Sequence, residues 1–333
     1  MTKIRITILL LITIFSGSIT AHEKSTEQLE SIKENGVERQ WPMSNDTEFN
    51  SNVEEPTYEK GKGPKILLDG AHHNFFIQWD FIKPFSDLAK ADGYQTVVDS
   101  LKFTPDYLER FDIVMIISAL PFDFATKNEV TDEITFTINE INNLYNWVNS
   151  GGSLLVFSEH APLDQAINPL LKRFGVESSI GVTIDSMNYN KEIGNPGWIE
   201  FSNQNGGLRN KHPILNGRNK EEKITKLMTF GGSALTGKGY TNLLALSETS
   251  ENIVHYTGVG PSGKGNSQGL AGEIGRGKVV ALGDSNGFVA MLFDEDDGSK
   301  QAAGMNLEEY DWKQFVLNTL HWLSTTPSIN VDE

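Results

Sequence analysis

The 333-residue chain contains no cysteine. That absence excludes a disulfide framework, a thiolate zinc site, a cysteine nucleophile and a lipidated N-terminal cysteine. Positive charge is scarce as well: 28 Lys and Arg stand against 44 Asp and Glu, a formal net charge of −16. Phosphate backbones and anionic membrane surfaces are held by clustered Lys and Arg, so nucleic acid is not an expected partner. No repeat period is visible. The longest apolar run, 6–15, would span about 15 Å as a helix, half of a hydrocarbon core of about 30 Å, so no stable membrane anchor is expected. What is present, 38% hydrophobic residues and 31 glycines, suffices for the core of one large α/β domain or two small ones.

The first 21 residues have the order of a cleavable secretory signal. Lys3 and Arg5 precede the apolar run, and small and polar residues lead to Ala21. Cleavage after Ala21 or after Ser18 both fit, and removing 1–21 takes the net charge from −16 to −18. A thiol-free mature chain suits an oxidising compartment, so a secreted or periplasmic location is expected. Residues 22–63 are rich in Glu, Ser, Asn and Lys and read as a polar tether, with room for a short helix over 25–34. Residues 327–333 read as a tail.

After Pro64, short apolar runs alternate with amphipathic stretches. Runs at 65–69, 113–117, 153–157 and 278–282 predict buried strands, and a further strand is expected near 94–98. Helical spacing is found near 81–89, 105–110, 131–150 and 163–174 and in the final segment, with Ile134, Ile138, Ile141, Tyr145 and Val148 on one face of the longest. Strands alternating with helices predict an α/β, doubly wound, mainly parallel sheet over 64–326. Residues 176–275, richer in Gly and Asn, predict an irregular, β-rich elaboration. In open parallel sheets ligands bind beyond the carboxyl ends of the strands. That rule directs attention to segments 69–74, 158–162 and 284–286.

In those segments His160 follows a strand directly and is a candidate acid–base group, against the plainer role of fixing its turn. His72, His73 and Asn74 follow the first strand, and neighbouring side chains in extended backbone point to opposite faces, so one His is expected to face the crevice. Either His with His160 and a carboxylate, Asp284 or Glu159, would make a two-His, one-carboxylate metal set; polar residues holding the first crossover are the alternative. Gly283-Asp284-Ser285-Asn286-Gly287 fits G-x-S-x-G, which makes Ser285 a candidate nucleophile, or else part of a glycine-rich turn. Asn286, and Asn306 before the last helix, are candidate ligand contacts. Gly232–Lys238 and Gly258–Lys264 mimic phosphate loops but carry Gly where the metal-binding hydroxyl belongs, and read as turns. The acidic run 294–298 lacks a full calcium loop and reads as solvated.

Together, DGAHHNF at 69–75, the segment 83–94, 147–162, HPILNG at 212–217, 277–283 and 318–323 resemble the class I glutamine-amidotransferase-like superfamily. They are most similar to a secreted branch akin to trehalose-utilisation proteins. The resemblance implies a flavodoxin-like topology. It also marks a departure, because those enzymes place a Cys nucleophile after the strand matching 154–157, where this chain has Glu159-His160. Cysteine-dependent glutamine hydrolysis is therefore excluded.

The resulting expectation is an exported protein with a His- and Asp-lined crevice, hydrolase-like and acting on a small neutral or cationic ligand such as a carbohydrate fragment. His160, His72, Asp284 and Ser285 are the catalytic candidates; His73, Asn74, Glu159, Asn286 and Asn306 are the ligand-binding ones. Phe75, Phe76, Trp79 and Trp198 are candidates for stacking on sugar rings. No cofactor is required, although a divalent metal fits the His set. A ligand-binding or envelope-assembly module without catalysis is the alternative.

Overall fold

A computed structural model describes residues 32–34, 37–39, 43–123, 134–208, 211–255, 265–295 and 298–325. The proposed signal, the C-terminal tail and the whole of the second phosphate-loop mimic lie outside the described residues. So does most of the proposed helix at 25–34, whose last three residues instead form a strand, Ile32–Glu34, paired with Val37–Arg39.

The core is a nine-stranded sheet. Its strands are β1 (Lys65–Asp69), β2 (Gln95–Asp99), β3 (Ile113–Ile116), β4 (Ser153–Phe157), β5 (Val176–Ser178), β6 (Leu235–Gly237), β7 (Thr241–Ala245), β8 (Ser267–Ile274) and β9 (Gly277–Leu282). They lie in the order β2-β1-β3-β4-β9-β8-β6-β5, with β7 also paired to β8. The five strands β2, β1, β3, β4 and β9 are mutually parallel. The remaining pairings in the sheet are antiparallel. Smaller antiparallel sheets flank it, so the fold is mixed α/β with a mainly parallel centre.

Strand periodicity explains the layering. Leu68, Met115, Leu155 and Val280 pack into one apolar cluster with Phe85 and Leu88 of α1 (Lys83–Ala91) and Phe315 and Leu320 of α4 (Trp312–Ser324). Leu67, Val114, Leu154 and Val279 pack into a second with Leu144 and Val148 of α2 (Ile138–Asn149) and Ile167 and Leu170 of α3 (Leu163–Arg173). Alternate residues thus face opposite layers, which is why the strands are continuous apolar runs.

Two expectations change. Helix α2 begins at Ile138 rather than near 131, because Thr137 forms a capping box with Glu140. Ile134 lies outside it, and Ile134 and Ile138 are 72% and 67% exposed instead of lining a core face. The packed body also begins well before Pro64. Met43–Asn45 pairs with Ala290–Asp294, and Lys313 Nζ donates to the carbonyls of Asn50 and Asn52. Thr57 Oγ1 and Asp92 both lie 2.7 Å from His321 Nε2. Residues 43–63 are a strap on the domain, because buried Met43 and the strand pairing hold them there.

Candidate active site at the carboxyl edge

The carboxyl edge is marked by unusual backbone. His73, Ser118 and Glu159, which follow β1, β3 and β4, have φ values of 45°, 55° and 55°. Left-handed backbone is costly for a residue with a Cβ, and such strain gathers at functional sites.

Glu159, rather than His160, therefore occupies the strained elbow. The residue is fully buried. Its Oε1 accepts from the Ser285 amide at 2.5 Å and from the Ser285 hydroxyl. Burial raises the Glu159 pKa, and the hydrogen bonds from Ser285 oppose that rise. Asp284 accepts from the Phe230 amide, and from the Asn286 amide at 2.8 Å. Burial, then the charge of Glu159, pushes Asp284 up to about 7. Asp164, at the start of α3, accepts from the Gly181 and Gln165 amides at 2.9 and 2.6 Å; burial lifts it to about 7 as well.

His160 completes the cluster. Its Nδ1–H donates to the Ala161 carbonyl at 2.9 Å, which leaves Nε2, 3.9 Å from Glu159 Oε2, as the acceptor nitrogen of the neutral ring. The ring stacks on His255, with centroids 4.6 Å apart and planes 16° from parallel. Burial lowers both imidazoles, His255 to about 2. Hydroxyls border the cluster: Ser118 Oγ lies 3.3 Å from Ser285 Oγ, and Ser233 bridges Ser158 and Ser178 at 2.6 and 2.8 Å. The extension seats directly on this loop. A Cβ on Gly232 would meet the Gly283 carbonyl at 2.1 Å, and one on Gly283 would meet the Ser233 carbonyl at 2.1 Å.

The candidates thus separate. His160, Glu159, Asp284 and Ser285 come together, with Asn286 contributing its backbone amide. His72 belongs to a second buried cluster, its Nδ1 2.8 Å from Asp69 and its Nε2 3.1 Å from Glu140. Its ring lies between Phe103 and Phe136, at 4.9 and 4.3 Å. Asn74 is equally committed: its amide group donates to Asp69 at the backbone carbonyl and carboxylate, and its Oδ1 accepts from the Ile117 amide at 2.8 Å. His73 is exposed. Asn306 donates to Asp46 and to the Met291 carbonyl, both at 3.0 Å, and lines a separate acidic groove of about 1210 Å³.

The expected metal set is not assembled, since both His72 nitrogens are engaged elsewhere; among the described residues no group of three His, Asp or Glu is placed to hold a metal. Phe75, Phe76 and Trp198 are core residues rather than sugar platforms. The segment after Ser285 is a single turn, Asn286–Phe288, running into extended backbone, so the strand–turn–helix context of G-x-S-x-G is missing. Gly232–Lys238 contains β6 and opens no helix.

Ser118, Asp164 and His255 were not anticipated. Ser118 sits where a strand-end rule would have placed it, directly after the apolar run 113–117. Asp164 opens the helix directly after the 158–162 loop, its amide donating to the His160 carbonyl, whereas His255 follows the distant pairing of Ser250–Ile253 with Val182–Asp185 and carries no local signal.

No family model and no curated protein matches the chain. Solved structures do. The mmIFT52 N-terminal domain aligns with 80% of this chain and all of its own, at 15% identity and a TM-score of 0.53. A cytoplasmic protein of Salmonella typhimurium LT2, STM1381, aligns with 78% of this chain and all of its own, at 12% identity and 0.45. A ThuA-like protein of Parabacteroides merdae covers 79% and 91%, at 13% and 0.42. At 15% identity the first of these likenesses concerns the fold alone. Among the described residues no helix is long and apolar enough to cross a membrane.

Proposed function

We propose that the chain is an exported, flavodoxin-like α/β protein whose carboxyl-edge cluster performs hydrolase-type acid–base chemistry on a small neutral or cationic ligand, with carbohydrate fragments as the substrate class. The observation that carries this reading is Glu159 on a left-handed elbow, hydrogen-bonded to Ser285 and packed among Asp284, Asp164 and His160. A carboxyl that keeps its proton near neutral pH serves as general acid, and an ionised neighbour as base. The chain itself supplies both, so the reading invokes no cofactor.

Other features support the remaining parts. The parallel strands, numbered by their order along the chain, lie 2-1-3-4-5, the order of flavodoxin-like sheets. The charged, apolar, small-residue order of 1–21 supports export, and the net charge of −16 favours ligands that are not anionic. The near-complete burial of Glu159, Asp284 and Ser285 favours a second reading, a binding module without turnover whose polar cluster stiffens the strand ends.

Incubating residues 22–333 with a panel of neutral and amino-sugar oligosaccharides, with product release and thermal shift recorded together, separates the two. The acid–base reading expects turnover that falls at least about a hundredfold in Glu159→Gln, as for loss of a general acid–base group. A thermal shift without product selects the binding module. Neither signal with any oligosaccharide overturns both.

A further inference from the structure

We infer that Ser118 is a positioning residue for Glu159, acting through the Ser285 hydroxyl; the inference deepens the acid–base reading and rests on it. The direction of the hydrogen bonds follows from the donors available. Ser285 Oγ–H is given to the Glu159 carboxylate, so in the 3.3 Å contact between the two serines Ser118 is the donor and Ser285 Oγ the acceptor. Two hydroxyls in series thus end on one carboxylate oxygen, and each bond in such a chain polarises the next.

The backbone holds Ser118 to this task. It follows β3, which pairs with β4, the strand that leads into Glu159, and both residues carry φ of 55°, so two neighbouring strand ends turn the same way around Ser285. The turn at Ser118 is clamped on three sides. Its carbonyl accepts from the Phe75 amide at 3.0 Å, the preceding Ile117 amide donates to Asn74 Oδ1, and the Leu120 amide donates to the His72 carbonyl at 2.9 Å. The buried Asp69–His72–Asn74 network, which among the described residues shows no side-chain hydrogen bond to the acid–base groups, therefore fixes a hydroxyl that reaches Ser285. Ser118 is fully buried, so no solvent competes for it.

The test uses the full chain carrying ¹³C-labelled glutamate. The Glu159 carboxyl resonance, assigned by its loss in Glu159→Gln, is followed through pH in the wild type, Ser118→Ala and Ser118→Gly. Both Ser118 variants remove the hydroxyl, but only glycine takes up φ of 55° without strain. The expected result is a Glu159 midpoint moved to higher pH in both, and moved further in Ser285→Ala, because the ionised carboxylate has lost a polarised donor. A shift in Ser118→Ala that is absent from Ser118→Gly assigns the effect to backbone and overturns the proposal; so does an unchanged midpoint in both. If Ser118→Ala does not fold, Ser118→Gly decides alone. The readout is independent of turnover. Inert oligosaccharides with a moving midpoint would remove the acid–base reading and keep the positioning role, whereas turnover with a fixed midpoint would do the reverse.

Discussion

The molecule has two buried polar clusters at the same edge of one sheet, and they are built on opposite principles. Around His72, Asp69 and Glu140 share one imidazole, and Lys102 lies 3.8 Å from Glu140. Burial pushes Glu140 up, but the hydroxyl and amide of Thr137 together with His72 hold it below the usual carboxylate range. Around Glu159, three carboxyl groups are buried with no cationic side chain among their hydrogen-bond partners in the described residues, and burial lowers the pKa of the neighbouring imidazoles. The first cluster matches basic and acidic groups and needs nothing more. Among the described residues the second is held by amides and hydroxyls, which leaves protons to balance its charge. That difference separates a charge-matched brace from a cluster whose carboxyl groups hold their protons to higher pH.

The comparison can be broken by substitution. The largest effect is expected at the brace. His72→Ala leaves two buried carboxylates without their shared partner and should cost about 3–5 kcal/mol in denaturant titration. A cost below about 1 kcal/mol would mean that the pairing carries no stability and that the contrast fails. His160→Ala comes next, at about 1–3 kcal/mol, because the Ala161 carbonyl loses its donor and His255 its stacking partner. That is more than a solvent-facing rim residue would cost, so the same measurement weighs the depth of His160 in the cluster.

A third prediction concerns pH. Asp284 is pushed from its ordinary 3.8 to about 7, so between these values the unfolded chain releases a proton that the folded chain keeps. Raising pH through that window therefore favours unfolding through this group. Stability of Asp284→Asn relative to the wild type should rise by about 2 kcal/mol from pH 5 to pH 7, measured by paired titrations. A relative stability that falls over the same range would contradict the raised pKa. The smallest effect belongs to Asn306→Ala, about 0.5–1 kcal/mol for its bonds to Asp46 and Met291, with the Glu159 midpoint unchanged. A moved midpoint would show that the acidic groove and the carboxyl edge communicate.

Much of this contrast was hidden in the amino-acid order. Four of the five parallel strands were legible because each is buried on both faces and appears as an unbroken apolar run, as in Ile113–Ile116; the fifth, Gln95–Asp99, lies at the sheet edge and is partly exposed. The antiparallel strands were not: Leu235–Gly237 and Val176–Ser178 are three residues long, too short for any period, and meet only through distant pairing. At the site, the strand-end rule pointed to His160, Asp284 and Ser285, which the fold brings together. The same rule misplaced His72, since alternation shows that neighbours diverge but not which of them finds a carboxylate. The left-handed turn at Glu159 also left no mark, because it occurs at a Glu where a Gly would have announced it.

The crossing of Gly232 and Gly283 has a consequence for how this protein can vary. Two main chains pass so closely there that even one methyl group on either would force the loop bearing Asp284 away from the extension behind it. Neither position can be altered first and compensated later, since a change at one leaves the other chain still in the way. The parallel half and its antiparallel extension are thereby tied into a single heritable unit: swapping in a foreign extension would succeed only if it brought its own glycine to the same crossing.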